Sequence, residues 1–230
     1  MVAISSYKLK AQDTLNLQSV WETIDFSSCP YSYNFHMHTN FSDGQLTSSF
    51  LVQQVVEIGL KGLAITDHHS IDGYLDAQKL LDKLSQKNNP NNLPYLWTGV
   101  EITAEISEVQ VHILGYGFAP EHPALEVYLQ GTSPKGKDAE AKNVINSIHQ
   151  AGGLVVLAHP ERYRRPASYL IPLAADLGID GVETYYAYNN PPIWTPSPIQ
   201  TKVVQQLASK YKLYNTCGTD SHGLNLLKRI

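Results

Sequence analysis

Cysteine, methionine and arginine are scarce in this 230-residue chain, which has two, two and four of them. Cys29 and Cys217 stand far apart without a CxxC spacing, which excludes a disulfide framework and a zinc ribbon. Charged residues make up only 17% and the net charge is −4, so the basic surface of a protein that coats nucleic acid is absent. No apolar run approaches the roughly 20 residues of a membrane-spanning helix. The first twenty residues lack the basic-then-apolar order of a signal peptide, so a cytoplasmic protein is expected. There is no repeat, low-complexity tract or long charge block. The hydrophobic content of 43% is that of a globular chain, and the length suits one domain. Histidine is the exception to this ordinary inventory: there are nine, and histidine is the commonest metal ligand.

Short apolar runs alternate with helical patterns. Strands are predicted at Ser32–Phe35, Gly62–Thr66, Tyr95–Ile102, Val109–Gly115, Leu154–Ala158, Gly181–Thr184 and Leu213–Cys217. Helices are predicted at Thr47–Ile58, Tyr74–Gln86, His122–Leu129, Asp138–His149, Pro166–Leu177 and Ile199–Lys210, with Ser48 or Ser49 capping the first and Gly59 ending it. Ser85–Pro94 and Asn189–Pro198 read as loops. The alternation indicates parallel βα units, hence an α/β protein with either an open doubly wound sheet or a (β/α) barrel. It breaks once, where Glu101 to His112 reads as two strands joined by a short turn. Residues 1–30, with a helix around Leu15–Ile24, read as an N-terminal extension, and 31–230 as the α/β domain itself.

The histidines follow the strands. His36 and His38 form an H-x-H pair after the first strand, and in an extended segment residues i and i+2 point to one side. Asp43 follows in FSDG, and His68 in TDHH. Glu101 ends its strand, and His112 lies within the next. His159 follows LVVLA, and Asp220 with His222 follows the last strand. All but His112 sit at or beyond the C-terminal end of a predicted strand, the rim where parallel α/β folds build their active sites. Nine such donors exceed one four-coordinate ion and suit two or three divalent metals, with manganese, iron or zinc all compatible with a His/carboxylate set. Three of the four arginines, Arg162, Arg164 and Arg165, lie close behind His159. A guanidinium fork matches phosphate, so Arg162 and Arg164 are the candidate substrate-binding residues, against a solvated loop as the alternative. Glu183, at a strand end, is a candidate partner for a ligand. Tyr163, Tyr185, Tyr186, Tyr188 and Trp194 are either base-stacking or core aromatics. GTSPKGKD only imitates a phosphate-binding loop, because Asp138 replaces the hydroxyl residue and no strand precedes it. His122 and His149, at helix ends, and the apolar Cys217 are not read as site residues.

The segments FHMHTNFSDG, GLAITDHHSIDG, GVEIT, VHILGY, GLVVLAHPERY, GIDGVE and GTDSHG resemble the polymerase and histidinol phosphatase (PHP) family of metal-dependent phosphoesterases. The resemblance implies a distorted (β/α)7 TIM-like barrel with a metal site at its C-terminal rim and a reduced cap around 118–140. It implies one metal on His36, His38, Glu101 and Asp220, a second sharing Glu101 with His112 and His159, and a third on Asp43, His68 and His222. Asp220, Glu101 and His159 are then the ligands expected to be catalytic. The implied reaction is attack of a metal-activated hydroxide on the phosphorus of a small phosphate ester. The spacing around PEHPALEVYL and AHPERY is most similar to the subgroup acting on nucleoside 3′,5′-bisphosphates or short oligonucleotides. His69 stands where the family usually has Asp. A histidinol-phosphate-type phosphatase, an amidohydrolase and a non-catalytic metal-binding regulatory module are the competing readings. The implied partner is a small phosphorylated substrate, not a long nucleic acid or a membrane.

Overall fold

The computed structural model describes residues 12, 14–87 and 93–230; half of the predicted Ser85–Pro94 loop, residues 88–92, and the start of the N-terminal extension lie outside them, while 85–87 are helical where a loop is predicted. The elements run α1 (Thr14–Trp21), β1 (Tyr33–Asn34), α2 (Ser48–Ile58), β2 (Gly62–Ala64), α3 (Asp72–Lys87), β3 (Tyr95–Trp97), β4 (Gly99–Ile106) and β5 (Val109–Tyr116). After two 3-10 turns at Pro123–Tyr128 and Gly136–Ala139 come α4 (Ala141–Gln150), β6 (Leu154–Leu157), α5 (Ala167–Asp176), β7 (Gly181–Tyr185), α6 (Pro198–Tyr211) and β8 (Tyr214–Cys217). The predicted helix at His122–Leu129 is thus a 3-10 turn, capped by the ring of His122, whose Nδ1 accepts from the Ala124 N–H. Helix α2 is capped by Thr47 and not by Ser48 or Ser49; its side chain accepts from Phe50 N–H, and Gly59 ends it in the left-handed region at φ 79°.

The strands form two sheets, β1-β2-β3 and β4-β5-β6-β7-β8, and not the closed barrel implied by the resemblance. The first is parallel throughout. In the second, β4, β5 and β6 are antiparallel neighbours and β6, β7 and β8 are parallel. At their seams the sheets meet through isolated bridges, Met37 with Ser221 and His68 with Glu101. The cause is local. Strands β1 and β2 stop after two and three residues, because the segments that follow turn their side chains into the site. The predicted strand Tyr95–Ile102 bends at Thr98, whose N–H leaves the ladder for the Gln12 side chain at 2.6 Å.

Packing follows the patterns that predicted the elements. The run Leu154–Leu157 is buried on every residue, as expected of an interior strand covered on both faces. Leu51, Val52 and Val55 turn one face of α2 inward against the core beside α3. Helix α1 packs with the strands: Leu17 and Trp21 are buried, and the indole lies edge-on to Tyr116 at 5.5 Å and Phe35 at 6.2 Å. Phe35 immediately precedes His36, so this aromatic floor lies directly beneath the first histidine of the site. No helix among the described residues is long and apolar enough to cross a membrane. Replacing Trp21 by Ala removes this floor and is expected to cost about 3–5 kcal/mol. Guanidinium unfolding measures it, and a loss below 1 kcal/mol would show that α1 is not part of the core.

Candidate metal centre

The centre is organised around one carboxylate. Glu101 is 1% exposed, and its two oxygens are divided among five imidazoles. Oε1 lies 2.7 Å from His112 Nδ1 and 3.3 Å from His159 Nε2. Oε2 lies 3.0, 3.1 and 3.5 Å from the Nε2 atoms of His36, His38 and His68. Asp220 faces the same pair of rings, with Oδ1 at 3.3 Å from His36 Nε2 and 3.2 Å from His38 Nε2. Asp43 lies farther out, 3.2 Å from His222 Nε2 and 3.5 Å from His38 Nδ1.

Each side chain arrives by a definable route. The extended backbone after β1 turns His36 and His38 to one side, as the H-x-H spacing predicts. Glu101 and His112 share one face of the β4–β5 hairpin, in which Thr103 stands opposite His112. His159 and Asp220 hold left-handed backbones at φ 26° and 53°, conformations that non-glycine residues rarely adopt and that concentrate at functional sites. Gly218 allows the last strand to reach the centre, since a Cβ there would lie 2.2 Å from His36 Cβ.

Surrounding residues orient the ligands. Glu183 is within hydrogen-bond reach of His36 Nδ1 at 3.0 Å and accepts from His159 N–H at 2.8 Å, so Nε2 is the His36 ring nitrogen that faces the cluster. Asp67 lies beside the cluster and fastens the loop after β1. Its carboxylate accepts from Thr39 N–H and Oγ1 and from Ser42 Oγ, at 2.6–2.7 Å. Gly73 makes room for it, since a Cβ there would fall 2.1 Å from Asp67 Oδ2. His69 points away from the centre to Thr103 Oγ1 and Ser133 Oγ, both at 3.2 Å.

The electrostatics are those of a charged cluster removed from water. Burial works to lower the proton affinity of His36, but Glu183, Glu101 and Asp220 outweigh it and hold His36 well above the usual imidazole range. His38 shows the same balance and is pushed up to about 9 by Asp220 and Glu101. Burial prevails at His159 and His68, which are lowered, and at His69, where it acts with the neighbouring His68 and His112 to bring the value to about 4. Glu101 and Asp220 are held well below the carboxylate range, the surrounding imidazoles overriding burial.

The donor set fits divalent metal. Three groups have all their candidate ligand atoms within 4.8 Å of one another: His36, His38, Glu101 and Asp220; His38, Asp43, His68 and His222; and His68, Glu101 and His112. In the first, the four nitrogen–oxygen separations of 3.0–3.3 Å approach the roughly 3.3–3.5 Å edge of a tetrahedron with bonds near 2.0–2.2 Å. Both ring nitrogens of His38, although 3.1–3.5 Å from carboxylate oxygens, are buried without an aligned hydrogen bond among the described residues, as is Nδ1 of His159. The groups differ from the implied sets in two respects: His38 joins the outer group, and His68 replaces His159 beside Glu101 and His112.

The centre opens into a cleft of about 360 Å³. It is lined by Asp43, His68, Glu101, His112, His159, Asp220 and His222, together with Arg162, Arg229 and Ile230. Arg162 Nη1 donates to Asp220 Oδ2 at 2.8 Å and to the Tyr186 hydroxyl. Arg164 does not line the cleft; it is exposed and donates to the Glu108 carbonyl at the hairpin turn. Arg165 lies over the Tyr169 ring. Tyr185, Tyr186 and Trp194 are buried core residues, so these aromatics form no stacking platform. Arg229 and the Tyr186 hydroxyl, which donates to Asp220 Oδ2 at 2.6 Å, have no motif to announce them and emerge only in three dimensions.

Comparisons with known proteins agree with this arrangement. The PHP domain family model matches residues 34–175, more than half of the chain. The chain is 24% identical to the 5′-3′ exoribonuclease Rnm of Salmonella typhimurium, over 83% of this chain and 85% of the relative. It is 29% identical to a 3′,5′-nucleoside bisphosphate phosphatase of Chromobacterium violaceum, over 52% of this chain and 39% of the relative. Among solved structures, a protein of Bifidobacterium adolescentis described as a metal-dependent phosphoesterase superposes with a TM-score of 0.67 at 24% identity, covering 84% of this chain and 88% of the other. An amidohydrolase of Chromobacterium violaceum superposes with a TM-score of 0.69 at 18% identity, over 86% and 90%.

The raised histidines give the metal-free protein a defined pH response. Unfolded imidazoles titrate near 6.5. Between that value and about 9, folded His36 and His38 keep protons that the unfolded chain has released. The lowered His68, His69 and His159 act in the opposite sense only near pH 6.5, where the unfolded chain is still shedding their protons, and are neutral in both states above about pH 7.5. Stability from the pair is therefore complete below pH 6.5 and is lost as pH rises through the folded values. With chelator present, Tm measured by scanning calorimetry is expected to fall from about pH 7.5 to 9; a level or rising Tm over that range would contradict the assignment.

Proposed function

The chain belongs to the PHP domain family, and on that premise, which makes it a metal-dependent phosphoesterase, we propose that it hydrolyses small phosphorylated nucleotides, either nucleoside 3′,5′-bisphosphates or short oligonucleotides. The observation that carries the reading is an imidazole–carboxylate cluster and two guanidinium groups lining one cleft. The printed activities of the exoribonuclease and bisphosphate phosphatase relatives support the nucleotide class. The two sheets make a distorted seven-stranded barrel open at its seams when β3 and β4 are counted as one strand bent at Thr98.

The ligand assignment takes His36, His38, Glu101 and Asp220 as one site, Glu101 with His112 and His159 or His68 as a second, and Asp43, His68 and His222 as a third, with manganese as the expected ion and iron or zinc as alternatives. Bound divalent ions supply a nucleophile at neutral pH and neutralise charge on the phosphoryl oxygens. The protein provides the remainder. Glu183 fixes the ring of His36 and the backbone of His159. Tyr163, whose hydroxyl accepts from His112 N–H at 2.7 Å and donates to the Ala158 carbonyl, holds the hairpin against the loop that carries His159. Arg162 presents a permanent positive charge to an anionic ester, over a centre with fewer carboxylates than imidazoles.

Manganese-loaded protein is expected to turn over adenosine 3′,5′-bisphosphate or a 5′-phosphorylated trinucleotide, in a panel that also holds p-nitrophenyl phosphate and histidinol phosphate. Asp220→Ala is expected to lower turnover by more than the roughly 10–100-fold that loss of a ligand's outer partner costs. Complete inactivity of well-metallated protein on the whole panel sinks the reading. Metal content by mass spectrometry is expected to be at least two ions per chain, and a value of one or less contradicts a multinuclear centre.

A further inference from the structure

We propose that Arg229 is a specificity-determining residue that, together with Arg162, binds a second, non-scissile phosphate group, so that the enzyme favours substrates with two phosphates close together. This rests on the phosphoesterase reading above and deepens it. Asp220 separates two environments. Its Oδ1 faces His36 and His38 inside the cluster. Its Oδ2 faces outward and accepts three bonds, from the Tyr186 hydroxyl at 2.6 Å, Arg162 Nη1 at 2.8 Å and Arg229 Nε at 3.0 Å.

That outer oxygen is over-supplied. A carboxylate oxygen has about two lone pairs, whereas two guanidinium groups bring ten N–H donors. The charges are equally uneven, two permanent cations on a single carboxylate whose other oxygen is engaged within the cluster. Both side chains line the cleft, 36% and 21% exposed, so their remaining donors are available to a ligand. Paired guanidinium forks with spare donors are a phosphate-binding arrangement. They stand one carboxylate away from the cluster. A phosphoryl group at the metal ligands and a second anion on the arginines are therefore neighbours and need not be the same group.

Arg229 is held firmly enough for this role. Residues 222–230 fold back on themselves, with His222 N–H donating to the Arg229 carbonyl at 2.7 Å. Leu226 is buried in the core beside α2, its N–H donates to Gln54 Oε1, and Gln54 Nε2 returns a bond to the Leu224 carbonyl. The same return that places His222 in the outer ligand group thus brings Arg229 into the cleft, against the outer oxygen of Asp220.

Two measurements test the role. In kinetics with manganese, Arg229→Gln is expected to lower kcat/KM for adenosine 3′,5′-bisphosphate about tenfold more than for adenosine 3′-monophosphate and adenosine 5′-monophosphate, chiefly through KM, with Arg229→Lys recovering part of the loss. In calorimetric titrations with chelator present, the wild type is expected to bind the bisphosphate more tightly than either monophosphate, and Arg229→Gln to erase that difference. An equal fall on all three substrates, or a bisphosphate preference that survives in the variant, overturns the proposal and leaves Arg229 as a positioning residue for Asp220. A wild type that binds the bisphosphate preferentially and hydrolyses nothing would overturn the phosphoesterase reading while sustaining the role of Arg229.

Discussion

Glu101 is a carboxylate in the interior of the protein, and much of the polypeptide is arranged to keep it charged. A buried anion without partners costs several kcal/mol, and even a paired one must be well surrounded to be tolerated. Here five imidazoles share its two oxygens, and they come from four separate segments of chain. The main chain of the same residue carries a second task. Glu101 N–H donates to the Asp67 carbonyl and its own carbonyl accepts from His69 N–H, which makes one of the two seams between the sheets. The site and the closure of the fold thus converge on one residue.

The site was more legible in the sequence than the fold that carries it. His36 with His38 follows from side-chain alternation, a local rule that spacing alone expresses; Glu101, expected at the end of its strand, instead lies inside β4, and Asp220 reaches the centre through a left-handed backbone. The adjacent His68 and His69 part ways as their places in the motif suggest: the first faces the centre and the second, turned at φ 53°, leaves it. Two sheets in place of a closed ring could not be read from periodicity, because the seams consist of single bridges in segments too short to show any. The bend at Thr98 depends on Gln12, 86 positions away. Arg229 is invisible for the same reason. Nothing in LLKRI distinguishes an exposed basic residue from one folded back onto Asp220.

The arginines show how context divides identical side chains. Four guanidinium groups were available, and three stand together in sequence. Arg162 reaches Asp220, Arg164 a hairpin carbonyl and Arg165 an aromatic ring, while the partner that joins Arg162 in the cleft comes from the other end of the domain. A cluster in sequence is therefore dispersed by the turn after His159, and the functional pair is assembled by the fold. The mildly acidic net charge is no obstacle to an anionic ligand, because the field at the cleft is set by these few groups at short range.

The seams have a mechanical meaning. His36, His38, Asp43 and His68 follow strands of the three-stranded sheet, whereas Glu101, His112, His159, Asp220 and His222 belong to the five-stranded sheet or to the segments that follow it. Each candidate ligand group takes members from both. An ion held by any of them would therefore be a clasp across a joint that the backbone fastens with only a few bonds. Part of its binding free energy would then appear as cohesion between the two halves.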